Sequence, residues 1–274
     1  DGAVDLSSNV ASIALAANSA IDASGGTNAA ISLAGTTGDF DLTLTGDSAS
    51  AVGLNAVDVD ALAVTGTLTL NDNITVDDSV DLSTNVASIT LAANSVIDVA
   101  AGGADQAITL ADVTGDYDLT LTGDSASAVG LNAVDVDALA VTGTLTLNDN
   151  ITVDDSVDLS TNVASITLAA NSVIDVAAGG ADQAITLADV TGDFDLTLTG
   201  DSASAVGLNA VDVDALAVTG TLTLNDNITV DDSVDLSTNV ASITLAANSV
   251  IDVAAGGADQ AITLADVTGD FDLT

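Results

Sequence analysis

The sequence predicts an all-β protein folded as a parallel β-solenoid. Three observations lead to this fold class. A segment of 77 residues is repeated along the chain almost without change. Apolar and polar residues alternate within each repeat, which is typical of half-buried strands. The chain is also 48% hydrophobic although its formal charge is −41, so it can bury a core and keep its carboxylates outside.

The repeat sets the organisation of the chain. The segment GTLTLNDNITV stands at residues 66–76, 143–153 and 220–230. A divergent first repeat covers 1–80, followed by full repeats at 81–157 and 158–234 and a partial repeat at 235–274. Such near-identity is typical of solenoids, in which each coil buries its apolar face only against its neighbours. We therefore expect one continuous solenoid that is a fragment of a longer array.

Apolar triplets within the repeat give an expected coil length. Leu145-Thr146-Leu147 and Ile151-Thr152-Val153 are two examples. Counting triplets through a repeat predicts about four coils of about 19 residues. Apolar side chains should point inward, and Thr or Asp outward. Tandem immunoglobulin-like β-sandwiches remain an alternative.

Residues in the predicted turns have expected structural roles. Asn side chains are expected to stack in amide ladders that run between coils, and the four aromatic residues are expected to fill the core or cover a turn. These residues are Asn85, Asn94, Asn132, Asn148, Asn150, Phe40, Tyr117, Phe194 and Phe271.

Composition excludes several functions. The chain has no Lys, Arg or His, so it cannot neutralise nucleic-acid phosphates, and no apolar run is long enough to insert into a membrane. The 41 acidic residues are all Asp, and their repulsion calls for external cations. We expect divalent cations as partners and a location outside the cell or on its surface.

Paired carboxylates are the candidate metal ligands. Alternate residues of a strand share a face, and Ca²⁺ prefers oxygen ligands. The candidates are Asp116, Asp118, Asp135, Asp137, Asp154 and Asp155, together with their equivalents 77 residues away. A solvated charged face that blocks aggregation is an equally good interpretation of these pairs.

Two other functions are less favoured. The Asp pairs recur in every repeat, whereas a catalytic site is normally unique, so no enzyme is expected. Thr-x-Thr spacing at Thr120, Thr122, Thr144 and Thr146 resembles that of ice-binding solenoids, but Asp interrupts the pattern. Exposed strand formation explains these Thr residues better, and ice binding is only a remote alternative.

The runs LAVTGTLTLNDNITV and YDLTLTGDSASAVGL resemble repeats of large secreted bacterial adhesins of the filamentous-haemagglutinin and autotransporter type. This resemblance implies a right-handed coil and a secreted or surface-displayed fibre. The expected function is the structural shaft of a giant extracellular protein, with copies of itself as partners in a fibre or bundle. A Ca²⁺-dependent crosslinking module is the alternative.

Overall fold

The computed structural model describes residues 2–26, 29–47, 51–103, 106–176, 183–201, 203–254 and 260–274. Over these residues the chain is a parallel β-solenoid of about 11 turns, each of roughly 21 residues, with almost no helix. The prediction of an all-β solenoid is confirmed, although the turns are longer than expected. The chain divides into two compact units, Asp1–Gly143 and Thr144–Thr274, which are described separately.

In the first unit the strands stack in three parallel sheets, which form the three faces of the solenoid. Consecutive strand segments belong to face one, face two and face three in rotation. Face one contains β1 (Val4–Leu6), β4 (Ile31–Leu33), β7 (Ala51–Leu54), the second half of β9 (Leu62–Leu70), β12 (Val86–Leu91), β15 (Val113–Gly115) and β18 (Val134–Val136). Face two contains β2 (Ile13–Ala14), β5 (Thr36–Gly38), β8 (Val57–Val59), β10 (Ile74–Val76), β13 (Ser95–Asp98), β16 (Leu119–Thr122) and the first part of β19 (Leu139–Leu147). Face three contains β3 (Ser19–Asp22), β6 (Leu42–Thr45), the first half of β9, β11 (Val80–Leu82), β14 (Ala107–Leu110) and β17 (Ala128–Leu131). A short 3-10 helix, Ala100–Gly102, lies between β13 and β14.

The second unit is built in the same way. One face contains β20 (Ile151–Val153), β23 (Ser172–Asp175), β26 (Leu196–Thr199), the first half of β29 (Leu216–Leu224), β31 (Val234–Leu236) and β34 (Ile262–Leu264). The next contains β21 (Val157–Leu159), β24 (Ile185–Leu187), β27 (Ala205–Leu208), the second half of β29, β32 (Val240–Leu245) and β35 (Val267–Thr268). The third contains β22 (Val163–Leu168), β25 (Val190–Gly192), β28 (Val211–Val213), β30 (Ile228–Val230) and β33 (Ile251–Val253).

The core consists of stacked columns of inward-facing aliphatic side chains. Ile74 pairs with Val57 on one side and Ile97 on the other, and at most 2% of each residue is exposed. Burying one such side chain contributes about 1.5–3 kcal/mol, so the columns are the main source of stability. The predicted inward position of the apolar residues is confirmed.

A glycine bends the longest strand of the repeat around a corner. In β29, Leu216–Thr219 pairs with β26, whereas Thr221–Leu224 pairs with β27 on the next face. Gly220 lies between the two halves with a φ of 134°, where a side chain would be strained. A Cβ at this position would lie 2.5 Å from the Ser204 carbonyl oxygen.

The repeat does not contain a whole number of turns. From β21 to the equivalent β31, the described residues form eleven strand segments when β29 is counted as two. Eleven segments on three faces make about three and two-thirds turns, in agreement with turns of roughly 21 residues. The turns are uneven, because Ala51 pairs with Thr67 but Val80 pairs with Ile108.

Candidate functional site: the acidic corners

The predicted metal ligands lie in two kinds of position. Asp135 stands in the middle of β18, on a flat face, with its side chain exposed. The others lie at corners, where the chain passes from one face to the next. Asp116 and Asp118 follow β15, Asp137 follows β18, and Asp154 and Asp155 follow β20 in the second unit.

The equivalents of these corner residues show how they are grouped. In the first unit, three successive turns place five carboxylates at the corner between faces two and three: Asp39, Asp41, Asp60, Asp77 and Asp78. Backbone hydrogen bonds connect these turns. The Asp60 amide donates to the Phe40 carbonyl at 3.3 Å, and the Asp78 amide donates to the Asp60 carbonyl at 3.0 Å. We call this group the acidic corner.

The second unit contains the same group two repeats later: Asp193, Asp195, Asp214, Asp231 and Asp232. The Asp214 amide donates to the Phe194 carbonyl at 3.1 Å, and the Asp232 amide donates to the Asp214 carbonyl at 3.0 Å. Residues that are far apart in the sequence therefore meet because the turns stack.

The central carboxylate of each acidic corner has a raised pKa. Desolvation is the largest cause that raises the pKa of Asp60, and repulsion from Asp78, Asp41, Asp77 and Asp39 raises it further. The pKa of Asp214 is raised for the same reasons, with its own four neighbours. Like charges thus lie close enough in successive turns to oppose one another's ionisation.

An asparagine in the preceding turn holds one carboxylate of the corner. The Asn171 side-chain amide donates to Asp195 Oδ2 at 2.9 Å, and the Asp195 backbone amide donates back to Asn171 Oδ1 at 3.1 Å. Asn94 and Asp118 form the same pair at 2.7 and 3.2 Å. Asn150 also reaches the next turn, where its Oδ1 accepts from the Val173 amide. These asparagines therefore connect successive turns through carboxylates and backbone groups, whereas the predicted Asn amide ladders stay a prediction.

The aromatic residues lie at corners between strands. Tyr117 is 39% exposed and lies between the strands of its corner, and Phe271 is 47% exposed. Phe40 and Phe194 are half-buried. None of the four is buried in the core, so the core role is wrong, and turn covering stays a prediction.

No preformed metal cage is visible in the described residues, which contain no group of three acidic, His or Cys side chains placed to hold a metal ion. The acidic corner concentrates charge along three turns without converging on one point. Calcium binding by these residues therefore stays a prediction.

A second Asp arrangement was missed in the sequence. Asp158, in the middle of β21, accepts hydrogen bonds from the Ser160 amide (2.9 Å) and hydroxyl (2.6 Å) and from the Thr161 amide (3.2 Å) and hydroxyl (2.6 Å). The same arrangement recurs after β1, β11 and β31, around Asp5, Asp81 and Asp235. The motif Asp-x-Ser-Ser/Thr could have predicted this arrangement, because an Asp side chain accepts hydrogen bonds from the backbone amides that follow it in tight turns.

These bonds favour the ionised carboxylate. For Asp158, desolvation is the largest single cause and acts to raise the pKa, but the four hydrogen bonds together lower it to about 2. Hydrogen bonds from Ser237 and Thr238 lower the pKa of Asp235 to about 2. The pKa values of Asp5 and Asp81 lie far below the ordinary value for the same reason.

The Thr-x-Thr segments do not form a regular array. Thr120 and Thr122 on β16 lie between Val96 and Asp98 in the preceding turn and Ala140 and Thr142 in the following one. Thr144 and Thr146 belong to β19 within the second unit.

Comparisons with known proteins do not place the chain in a family. No family model, no curated protein and no solved structure matches the chain. Among the described residues, none forms a helix with the length and apolar character needed to cross a membrane.

Proposed function

We propose that the chain is part of the structural shaft of a giant extracellular repeat protein, such as an adhesin stalk, a surface filament, a sheath or a matrix fibre. The observation that carries this proposal is that the surface features recur with the repeat. The acidic corner around Asp60 is found again around Asp214. The turn in which Asp81 accepts hydrogen bonds from the Ser and Thr that follow it is found again at Asp158 and Asp235. A chain that repeats its surface in this way adds length, whereas a catalytic site is normally built once. We assign no enzymatic activity to it.

The charge supports an external location and excludes some partners. With a formal charge of −41 and no basic residue, the chain is repelled by nucleic acids and by anionic membranes. The absence of Lys and Arg also removes every cleavage point for proteases that cut after basic residues. The partners that we propose are copies of the chain itself in a fibre or bundle, together with divalent cations.

Antibody labelling of source cells tests this function. Antibodies raised against the repeat at 81–157 should decorate filaments or a surface layer in immunogold electron microscopy of unpermeabilised cells. Label that appears only inside permeabilised cells would contradict a surface shaft.

A second candidate function is Ca²⁺-dependent crosslinking, and the raised pKa values of Asp60 and Asp214 favour it. A cation beside either residue would relieve repulsion that the chain cannot neutralise with its own side chains. Addition of CaCl₂ should therefore raise the melting temperature, and EDTA should reverse the change.

Matched variants make this calcium test specific. Asp60→Asn removes the centre of an acidic corner, whereas Asp58→Asn removes a carboxylate from the middle of β8, two residues away. The calcium effect should be smaller in Asp60→Asn than in Asp58→Asn. Equal effects in both variants would indicate general charge screening and reject the crosslinking function.

A further inference from the structure

Each copy of the segment NDNITV contains one tripeptide of the type Asn-x-Thr. It is Asn-Ile-Thr, and it stands at residues 73–75, 150–152 and 227–229. No other Asn of the sequence has Ser or Thr two positions after it. Asn-x-Ser/Thr, in which x is not Pro, is the acceptor pattern for N-linked sugars when it lies at the surface of a secreted protein.

The structure places each tripeptide at an exposed corner. Asn73 lies between β9 and β10 and is exposed, whereas the next residue, Ile74, is buried. Alternate residues of an extended segment share a face, so Asn73 and Thr75 both lie on the outer side. Asn150 and Asn227 are exposed at the equivalent corners before β20 and β30.

Asn73 differs from other Asn residues of its corner in the use of its side-chain nitrogen. Asn55 and Asn71 donate through Nδ2 to carbonyl oxygens of the preceding turn at 2.8 and 3.1 Å, and Asn94 donates to a carboxylate at 2.7 Å. Asn73 instead accepts a hydrogen bond through Oδ1 from the Val96 amide at 2.8 Å. Within the described residues its Nδ2 has no hydrogen-bond partner. This nitrogen is therefore available at the surface.

The two equivalents in the second unit are arranged in the same way. Asn150 Oδ1 accepts from the Val173 amide, and Asn227 Oδ1 accepts from the Val250 amide, both at 2.8 Å. In the part of the chain that the structure describes, neither Nδ2 donates a hydrogen bond. A sugar on Nδ2 replaces one amide hydrogen and leaves Oδ1 as an acceptor, so the bond to the next turn is retained.

We propose that Asn73, Asn150 and Asn227 are acceptors for N-linked oligosaccharide. In the transfer, Nδ2 bonds to the anomeric carbon of a sugar carried by a lipid-linked phosphate donor. The bond between that carbon and the phosphate oxygen breaks, the phosphate leaves with the bonding electrons, and Nδ2 gives one proton to the transferring enzyme. The Thr hydroxyl two positions later is the group that this enzyme recognises. The assignment rests on the extracellular location in the proposed function, because such sugars are added to exported chains.

Mass spectrometry of the chain isolated from source cells tests the modification. The sequence around the three sites is identical, so the intact mass gives the number of occupied sites. Fragmentation of the peptides should locate the sugar on the Asn of Asn-Ile-Thr and not on the Asn two residues before it. A chain in which all three sites carry no sugar would overturn the proposal.

Matched variants of a tagged copy, produced in the same cells, test the motif. Thr152→Val removes the hydroxyl but keeps Asn150 and a β-branched strand residue, so the intact mass should fall by one oligosaccharide. Thr152→Ser keeps the hydroxyl, and Thr146→Val removes a hydroxyl from β19 outside the motif, so both should retain the sugar. Sugar that persists in Thr152→Val, or is lost equally in Thr146→Val, would overturn the assignment to this tripeptide.

Failure of this proposal is distinguishable from failure of the shaft function. Asn residues without sugar on a chain that immunogold labelling places at the cell surface would reject the modification and leave the shaft function standing. Label confined to the cell interior would reject the shaft function and the modification together.

Discussion

At the residue scale, Asp acts in two opposite ways in this chain. Asp158 and Asp235 are stabilised as carboxylates by hydroxyl and amide donors that follow them in the sequence. Asp60 and Asp214 are opposed by carboxylates from neighbouring turns. The first arrangement depends on local sequence, whereas the second depends on which turns stack, so only the first could have been found from a motif.

Removal of an Asp that accepts hydrogen bonds from the Ser and Thr that follow it should destabilise the fold. Asp158→Ala leaves two amides and two hydroxyls of the turn without their acceptor, and we expect a loss of about 1 kcal/mol in the free energy of unfolding. Chemical denaturation monitored by circular dichroism measures the loss.

The control for this substitution is Asp212→Ala. Asp212, like Asp158, stands in the middle of a three-residue strand, but no Ser/Thr pair follows it. The Asp212→Ala substitution removes the same charge and should lower the free energy of unfolding less than Asp158→Ala, or not at all. A larger loss in the control would contradict the role given to the hydrogen bonds.

Stability should pass through a maximum at mildly acidic pH. The raised pKa values of Asp60 and Asp214 mean that their unfavourable charge is relieved as pH falls towards those values, so the melting temperature should first rise below pH 7. The lowered pKa values of Asp158 and Asp235 contribute stability above pH 3.8, which is lost between pH 3.8 and about 2. Thermal melts from pH 7 to pH 2 at constant salt test both limbs. A melting temperature that falls steadily from pH 7 would contradict the repulsion at the acidic corners.

At the element scale, short strands are recognisable in the sequence but their grouping into turns is not. Triplets such as Ile151-Thr152-Val153 have one inward face and were predicted correctly. The segment LAVTGTLTL is harder to assign to a face from its sequence, because Gly220 bends it from one face to the next and no polar residues interrupt the pattern there. A period-2 pattern shows which side of a strand is buried, but it does not show on which face of the solenoid the strand lies. For this reason four coils were expected where three and two-thirds turns are found.

Substitution of the corner glycine should show its structural importance. Gly220→Ala places a Cβ at a positive φ and 2.5 Å from a carbonyl oxygen, so we expect a loss of about 1–3 kcal/mol in the free energy of unfolding. Gly53→Ala is the control, because its Cβ would meet its nearest neighbour at 3.8 Å. Urea denaturation of both variants compares them, and similar losses would contradict the specific role of Gly220.

At the scale of the whole molecule, length is the property that the repeat generates. Each turn buries its aliphatic side chains against the next, and the carboxylates remain at corners and on exposed faces. The composition predicted this separation of core and charge correctly. It could not predict the acidic corners, because their five carboxylates come from three turns that meet only through the register of the strands.

The contour length of repeat arrays tests the central claim most directly. Electron microscopy of arrays with three and six repeats gives the length added by each repeat. Three and two-thirds turns at one strand spacing each predict about 18 Å per repeat. An increment of about 35–40 Å, the long axis of a small sandwich domain, would contradict the solenoid and the shaft function together.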